Sequence, residues 1–351
     1  MSKMQVSHQN QAGVSIIICC YNSAKKLPET IKHLSLQKNL KDIKCELVII
    51  DNASKDGTAE LAGQLCREYV HNIPFKIFFE SNPGLSNARK RGIKEAQYEL
   101  LLFCDDDNWL NQDYLQIAYD IMMQNNIIGV LGNQCIGEYE VAPPGWFLDN
   151  AVSFAIGKQG DKSGDITDKK GSVWGAGFIV RKSIFQTLQN NGFEFLLSGR
   201  KGDALTTGED RELCLAVRKL GYRIYYEEKL VAKHYMPASR FNYENFLKLS
   251  YQNGKISFII DAYNNKIKYY IPYLVKTIFI AIIKLTTAYF IFTLLRLSGK
   301  TSSARDKSER RVHYFSGKLN SLLNFSYSKT ALETIRGSIL NKNKIAGVTD
   351  N

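Results

Sequence analysis

The stretch LLLFCDDDNW, residues Leu100–Trp109, decides the fold and the position of the functional site. Its short, unbroken apolar run predicts a strand buried on both faces, and Asp105, Asp106 and Asp107 follow directly. Ligands bind outside the carboxyl ends of the strands in open α/β sheets. Adjacent carboxylates raise one another's pKa unless a cation joins them, and their hard oxygens suit Mg²⁺ or Mn²⁺. The alternative is a solvated acidic turn that caps the next helix.

The surrounding segments predict a doubly wound α/β sheet. Strand-like runs cover residues 14–20, 45–50 and 75–79, and they alternate with segments of helical spacing. This alternation is typical of a parallel sheet with helices on both faces, so residues 14–239 are expected to form one domain. The polar residues 1–13 lack the order of a signal peptide and are expected to be disordered.

Composition and charge narrow the class of protein. The 351 residues are 44% hydrophobic, which supports a real core, and no two of the seven cysteines have the spacing of a zinc site. The scattered cysteines fit a protein of the reducing cytoplasm. Residues 1–239 carry 28 basic and 28 acidic residues, whereas residues 240–351 carry 18 and 6, so the whole net charge of +12 belongs to the tail. We expect an anionic partner for this tail, and not nucleic acid, because no nucleic-acid-binding motif accompanies the charge.

Polar and aromatic residues follow the first two predicted strands. Asp51 ends a buried strand at the same edge of the sheet as Asp105, where its carboxylate can accept a hydrogen bond from a base or a ribose hydroxyl. It can equally cap a helix or close a turn. Tyr21 offers an aromatic face for a base, although simple packing is the alternative.

The segment NPGLSNARKRG, residues 82–92, begins as a loop and continues as a basic helix. Its small residues permit close approach of a ligand, and its basic residues can face phosphates. Neighbouring helix residues point about 100° apart, so at most two of the three consecutive basic residues can face one cleft.

Four motifs occur in a specific order, namely SIIICCYN at residues 15–22, VIIDNASKDGT at 48–58, NPGLSNAR at 82–89 and FCDDD at 103–107. Together they resemble family 2 of the inverting glycosyltransferases, which have the GT-A fold and use nucleotide-sugar donors. The resemblance extends over about residues 14–235. One departure is Cys19-Cys20, where the family usually has Pro followed by Thr or Val.

The resemblance implies roles for individual residues of these motifs. Tyr21 and Asp51 would hold the base, Asp105 would lie by the ribose, and Asp107 would bind Mg²⁺ or Mn²⁺ on the diphosphate. The nucleotide-sugar-binding set would comprise Tyr21, Asn22, Asp51, Asn82, Gly84, Arg89, Asp105 and Asp106. The nucleotide-binding half would then be residues 14–110, and the acceptor half residues 111–239.

Two segments of the second half carry candidate acceptor-side residues. Trp174 could stack on a sugar ring, with core packing as the alternative, and Gly175 leaves room beside it. Glu209 and Asp210 begin a predicted helix that Thr207 could cap, and acids suit that first turn. The resemblance makes this pair catalytic, with the aspartate as the usual base that takes the acceptor's proton.

His234 lies where some members of the family carry a histidine that helps to hold metal or diphosphate, although a lone histidine is often structural.

The tail contains a strongly apolar segment at residues 271–297, long enough to cross a bilayer. Lys284 near its middle would cost ~2.5–3.5 kcal/mol on an insertion scale, and both flanks are basic. We therefore expect residues 240–351 to be a helical tail whose apolar segment lies on, or dips into, an anionic membrane surface. The alternative is a helical subdomain packed on the enzyme.

The resemblance and the tail together imply a metal-dependent inverting glycosyltransferase at the cytoplasmic face of the membrane. It would use a nucleotide-sugar donor and a lipid-linked glycan acceptor in surface polysaccharide synthesis. A sugar nucleotidyltransferase is one alternative, but it needs a glycine-rich loop after the first strand, and residues 20–23 contain no glycine. A non-catalytic nucleotide-sugar-binding protein is the other, but it would not need Asp210 alongside Asp107.

Overall fold

The computed structural model describes residues 11–197, 199, 207–264, 266–298 and 303–340. The strands of its mixed sheet are β1 (Gln11–Cys20), β2 (Cys45–Asp51), β3 (Phe75–Phe79), β4 (Tyr98–Asp105), β5 (Asn108–Leu110), β6 (Ile128–Tyr139), β7 (Gly164–Asp165), β8 (Ile179–Arg181) and β9 (Arg223–Met236). The helices are α1 (Leu27–Ser35), α2 (Thr58–Tyr69), α3 (Leu85–Glu95), α4 (Tyr114–Gln124), α5 (Gly145–Leu148), α6 (Lys182–Asn190), α7 (Glu209–Lys219), α8 (Tyr243–Lys255), α9 (Ser257–Tyr263), α10 (Tyr270–Leu297), α11 (Ser303–Leu323) and α12 (Phe325–Leu340). Single 3₁₀ turns occur at Ala151–Phe154 and Ala238–Arg240.

The sheet has the order β3-β2-β1-β4-β8-β6-β9-β5, and β7 pairs with β9. The first four strands are parallel, whereas β8 runs antiparallel to both of its neighbours. Helices α1–α7 lie between the strands along the chain, and helices α8–α12 come after the last strand, β9. This confirms the predicted class, a doubly wound mixed α/β sheet with a helical C-terminal appendage.

The register of β1 with its neighbours brings the predicted polar residues to one edge. Cys20 is paired with Asp51, and Cys19 is paired with Asp105, so the carboxyl ends of β2 and β4 are level on either side of β1. The strand β1 begins at Gln11 and not at Val14, because Gln11 pairs with β4 before a bulge. Residues 11–13 are therefore part of the sheet, and residues 1–10 of the segment predicted to be disordered lie outside the described residues.

The helices after residue 240 share a core with the sheet domain. One continuous cluster of buried side chains includes Val180 of β8, Leu213 of α7, Phe258 of α9 and Leu332 of α12. Helix α10 differs, since it is long and apolar enough to cross a membrane and only 11% of its most apolar 18-residue window is buried.

Candidate active site

The acidic residues that end β4 point in different directions. Asp105 faces Arg89 of α3, with 4.0 Å between Oδ1 of Asp105 and Nη2 of Arg89. Burial raises the pKa of Asp105 to about 6. Both oxygens of Asp106 are engaged on the side of α1, where Oδ2 accepts a hydrogen bond from the hydroxyl of Ser23 and Oδ1 lies 2.8 Å from Nζ of Lys26. Asp106 therefore fixes the loop after β1 while it lines the cleft floor.

Asp107 is surrounded by positive charge and by a histidine. Its side chain is 4% exposed, and its oxygens lie 3.4 Å from Nη2 of Arg240, 3.7 Å from Nζ of Lys26 and 3.5 Å from Nε2 of His234. Burial alone would raise the pKa of Asp107, but these three groups hold it well below its usual range. His234 reaches this position because β9 pairs it with Asn108, the residue after Asp107.

The Asp107–His234 pair is suited to a metal that a diphosphate also binds. Among the residues that the structure describes, no three His, Cys, Asp or Glu side chains converge to hold a metal ion by themselves. Magnesium is commonly held by one or two protein ligands, and substrate phosphates and waters supply its other ligands. A site with only Asp107 and His234 would therefore need the diphosphate to complete the coordination of the metal. Nδ1 of His234 is buried without a described hydrogen-bond partner, so no acceptor is seen to fix the ring for metal binding.

Asn52, a residue not predicted from the sequence, shapes the loop before α3. Its buried side chain donates to the carbonyls of Glu80 at 3.1 Å and Asn82 at 2.7 Å, and it accepts from the backbone N–H of Gly84 at 2.7 Å. Gly84 has φ of 132°, a conformation that favours glycine. The loop is thereby held against the cleft, which Asn52 and Gly84 both line.

The other predicted nucleotide contacts divide into two groups. Tyr21 lines the cleft and is 48% exposed, so its ring is accessible. Among the described residues, the cleft lining does not include Asn22, Asp51 or Asn82. Asn22 accepts a hydrogen bond from the backbone of Lys55, and Asp51 is buried at the end of β2.

Glu209 and Asp210 have different surroundings at the start of α7. Glu209 is buried, forms an ion pair with Arg89 and accepts a hydrogen bond from the hydroxyl of Ser86 at 2.6 Å. Arg89 also lies over the ring of Phe103, with its Cζ atom 5.6 Å from the centroid. Ser86 was not predicted as a site residue. Its position in the LSNAR segment is the only feature of the sequence that could have indicated this role.

Asp210 accepts a hydrogen bond from the backbone N–H of Gly175, with 2.7 Å between Oδ2 and N. Among the described residues, no cation lies within 4 Å of its carboxylate oxygens. A Cβ atom at Gly175 would lie 2.7 Å from Nη2 of Arg89, so a larger residue there would displace the guanidinium group. The residue before α7 is Gly208, with φ of 105°, and the helix is not capped by the side chain of Thr207 as predicted.

Trp174 is half-buried beside Asp210, and its position is fixed from two sides. Its backbone N–H donates to Oε1 of Gln159 at 2.7 Å, and Nζ of Lys170 lies 4.4 Å from the centre of its ring. Trp174 packs against the core and also lines the cleft, so its stacking on a sugar ring stays a prediction.

The cleft that joins these groups has a volume of about 470 Å³. The candidate residues among its walls are Tyr21, Gly84, Arg89, Asp105, Asp106, Asp107, Trp174, Gly175, Glu209, Asp210 and His234. Part of the wall comes from residues predicted to belong to the tail, namely Arg240, Asn245 and Leu249. Nothing in the local sequence around these three residues indicated a role in the site.

Comparisons with known proteins relate the sheet domain to known glycosyltransferases. The family model described as Glycosyl transferase family 2 matches residues 15–189. A cholesterol galactosyltransferase of Borreliella burgdorferi is 36% identical over 113 residues, which are 32% of this chain and 30% of the relative. A poly-beta-1,6-N-acetyl-D-glucosamine synthase of Staphylococcus epidermidis is 35% identical over 129 residues, 36% of this chain and 29% of the relative. The matched part thus spans less than a third of the length of these curated relatives.

Among solved structures, S. aureus TarS 1–349 in complex with UDP aligns with a TM-score of 0.47 and 17% identity. The alignment covers 87% of this chain and 90% of that chain.

Proposed function

Because the chain belongs to glycosyltransferase family 2, we propose that it transfers a sugar from a nucleoside diphosphate to a hydroxyl group of a glycan acceptor, with inversion at the anomeric carbon. The observation that carries this proposal is the presence of Asp107 and Asp210 in one cleft with different electrostatic surroundings. Asp107 lies among Lys26, Arg240 and His234, where a diphosphate would be held. Asp210 lies beside Gly175 and Trp174, where a sugar and an acceptor hydroxyl would meet.

Inversion by direct displacement needs one carboxylate that takes the proton of the attacking hydroxyl. Asp210 supports this role because its described contact is a single backbone hydrogen bond, which leaves lone pairs for the acceptor. Glu209 is a poorer base because Arg89 and Ser86 already occupy its carboxylate. In this proposal Glu209 and Arg89 are positioning residues that hold Asp210 against Gly175.

Departure of the nucleoside diphosphate requires positive charge and not an acid. Lys26 and Arg240 provide two fixed cations near Asp107. Asp107 and His234 would hold Mg²⁺ or Mn²⁺, which when bound neutralises charge on the leaving diphosphate. The exposed ring of Tyr21 and the Asn52-supported loop would position the nucleoside at the other end of the cleft.

We also propose that the acceptor is a lipid-linked glycan used for a cell-surface polysaccharide, and that the enzyme works at the cytoplasmic face of the membrane. Support comes from the exposed apolar helix α10, from the basic tail, and from matched relatives named for a sterol acceptor and for a polymer of N-acetylglucosamine.

The purified protein should be tested with a panel of nucleotide sugars, with release of the nucleoside diphosphate as the readout. NMR of the transferred product then reports the anomeric configuration. Release from one donor, stimulated by Mg²⁺ or Mn²⁺ and followed by transfer with inversion, is expected. Retention of configuration would overturn the single-displacement mechanism, and equal rates in EDTA would overturn the role of the metal.

A further inference from the structure

The loop between β6 and β7 presents two aliphatic side chains at the mouth of the cleft. We define the cleft-mouth loop as residues 145–155. Ser153, Phe154 and Ala155 line the cleft, whereas Leu148 and Val152 are 53% and 60% exposed. Exposed aliphatic side chains are common when they occur singly, so what matters here is how these two are held.

An aromatic cluster fixes the cleft-mouth loop from inside. Phe147 is fully buried and lies 4.4 Å from the ring of Phe154, measured between centroids. Trp146 stacks on Phe246 of α8 with 5.4 Å between centroids. Because these anchors leave little freedom to the loop, Leu148 cannot turn inward without displacing packed aromatic rings.

Helix α11 connects this loop to the apolar helix α10. Nη1 of Arg310 in α11 donates to the side chain of Asn150 in the loop at 2.7 Å. Helices α10 and α11 pack side by side, and Nζ of Lys284 lies 5.7 Å from the ring centre of Phe315. Since consecutive helices of this kind run antiparallel, Ala288 is about level with Arg310, and Ala288 is fully buried. The cleft-mouth loop and α10 are therefore attached to the same part of α11.

The side of α10 that does not face α11 is mostly apolar, although Lys276, Thr286 and Thr287 are also exposed on it. Its exposed apolar side chains are Ile271, Val275, Phe279, Ile280, Ile282, Ile283, Tyr289, Phe290, Ile291, Leu294 and Leu297. Such an extent of exposed apolar surface indicates a partner that is itself apolar. Residues 240–351 carry the whole +12 net charge, which favours anionic lipid over a neutral partner.

The packing of α11 argues against a crossing of the bilayer by α10. Helix α11 carries charged residues at Arg305, Asp306, Lys307, Glu309, Arg310, Arg311 and Lys318. A crossing would take this helix into the hydrocarbon with α10, and each central charge costs ~2.5–3.5 kcal/mol on an insertion scale. Together α10 and α11 form an amphipathic pair, because α10 presents the apolar side chains and α11 the charged ones. Amphipathic helical units of this kind lie in the interface between membrane and water.

We propose that the cleft-mouth loop and the free side of α10 form one membrane-binding surface, on which α10 lies parallel to an anionic bilayer and the cleft opens among the lipid headgroups. This rests on the proposed function, and it deepens it by naming the surface that would bring the cleft to a membrane-embedded acceptor. The acceptor would be a lipid-linked glycan whose apolar part stays in the bilayer while its headgroup hydroxyl reaches Asp210.

Depth-dependent fluorescence quenching tests the orientation of the full chain. Single cysteines replace Ile271, Ile282 and Tyr289, which lie on one face because their spacings of 11 and 18 residues are close to whole helical turns. Further variants are Leu148→Cys and Val152→Cys, with Leu36→Cys and Ile127→Cys as exposed aliphatic controls on other surfaces. Six of the seven native cysteines are buried, and the wild-type protein serves as the labelling blank.

Each labelled protein is mixed with vesicles of phosphatidylcholine and phosphatidylglycerol that contain quencher at a shallow or a deep acyl position. We expect equal, shallow quenching at the three α10 positions and quenching at 148 and 152, with none at the two controls. Deep quenching at 282 and 289 together with shallow quenching at 271 would show a crossing and overturn the proposal, because at 1.5 Å per residue 289 lies only about 8 Å from the middle of α10. Quenching on α10 without quenching at 148 and 152 would show that the cleft-mouth loop is not part of the membrane-binding surface, and it would overturn that part of the proposal. Absence of vesicle binding with a dimer in sedimentation would assign the apolar side to a second copy.

A functional comparison completes the test. The double variant Leu148→Ser/Val152→Ser should bind vesicles about tenfold more weakly, because two half-exposed aliphatic side chains lose their burial in lipid. Transfer to a vesicle-embedded acceptor should fall by a similar factor while donor hydrolysis is unchanged, and Leu36→Ser/Ile127→Ser should change neither. The quenching readout does not depend on sugar transfer, so failure of every nucleotide sugar as a donor would contradict the proposed function and not the membrane surface.

Discussion

The Nη2 atom of Arg240 lies 3.4 Å from Oδ2 of Asp107, so a residue just beyond the last strand completes the charge balance at the end of β4. The side chain of Asp107 is almost fully buried, and that of Arg240 is 25% exposed. The affinity of Asp107 for a metal ion would be reduced while Arg240 and Lys26 lie beside its carboxylate, because these cations compete with the metal for the negative charge. A bound diphosphate would give both cations another anionic partner.

Replacement of Arg240 by alanine should therefore have opposite effects on metal and on diphosphate. Without nucleotide, Mn²⁺ should bind Asp107 more tightly, because a competing cation has been removed. The donor should bind more weakly by about 10- to 100-fold, the range for loss of one charge-assisted hydrogen bond. Mn²⁺ titration by EPR and donor titration by calorimetry measure the two effects. Lys233→Ala is the matched control, since Lys233 of β9 forms an exposed ion pair with Glu138 of β6. Equal changes in both variants would contradict a specific role for Arg240.

The neighbouring carboxylates Asp106 and Asp107 should respond differently to the same change. Asp107→Asn should abolish the dependence of donor binding on Mg²⁺ or Mn²⁺ together with most of the binding. Asp106→Asn should keep the metal dependence and should lower the free energy of unfolding by about 1–3 kcal/mol, because a part-buried charged hydrogen bond with Lys26 is lost. Calorimetry with and without EDTA, together with urea unfolding, separates the two outcomes. Loss of metal dependence in Asp106→Asn would show that the wrong carboxylate has been assigned.

The pair at the start of α7 gives a second matched comparison. Asp210→Asn keeps the hydrogen bond from Gly175 but removes basicity, so transfer should fall by about 10²-fold or more with little change in donor affinity. Glu209→Gln removes the nearer of the two carboxylates that face Arg89 and should lower stability and donor binding as well as rate. Steady-state transfer and donor titration report both variants. Near-normal turnover in Asp210→Asn would require a different base.

The frame of this site could be predicted from the sequence because its signals are local. The apolar runs before Asp51 and Asp105 indicate buried strands, and parallel pairing then brings their ends to one edge. The same logic cannot give the direction of each side chain. Asp106 and Asp107 are adjacent in sequence, yet one faces α1 and the other faces β9.

Contacts between distant segments could not be predicted in this way. Asn52 holds a loop about 30 residues away, and Arg240 reaches Asp107 across 133 positions. Neither residue differs by type or spacing from an ordinary polar surface residue. The cap predicted at Thr207 fails for a related reason, since the helix start depends on the φ of Gly208 and not on the presence of a hydroxyl nearby.

Glu212 should make the stability of the protein depend on pH. It is fully buried, accepts from the backbone N–H groups of Leu196 and Leu197 and from the hydroxyl of Tyr263, and burial raises its pKa from 4.5 to about 7. The folded state thus holds a proton that the unfolded chain releases between these values. The free energy of unfolding should therefore fall as pH rises from about 4.5 to 7, on the order of 3 kcal/mol from this group.

Urea unfolding across this pH range tests the prediction with Glu212→Gln. The glutamine cannot titrate, so its curve should lack the fall that the wild type shows, whatever its absolute stability. Glu138→Gln, an exposed surface change, should reproduce the wild-type slope. If all three slopes are equal, Glu212 does not hold its proton in the folded state.

The close crossing of α8 and α11 leads to the last prediction. A Cβ atom added at Gly317 would collide with the carbonyl oxygen of Tyr251, and one added at Gly254 would collide with that of Tyr314. Because these are backbone atoms, the helices would have to separate. Gly317→Ala should therefore lower the free energy of unfolding by about 1–3 kcal/mol. It should also displace α8, which contributes Asn245 and Leu249 to the cleft.

Gly337→Ala is the matched control, because Gly337 is also helical and a Cβ atom added there would meet nothing within 4 Å among the described residues. There alanine should be neutral or stabilising by about 0.5–1 kcal/mol, since it restricts the unfolded chain and favours the helix. Thermal unfolding and donor hydrolysis measured on both variants decide the point. If the two alanines behave alike, the α8–α11 contact does not set the packing of the helices against the cleft.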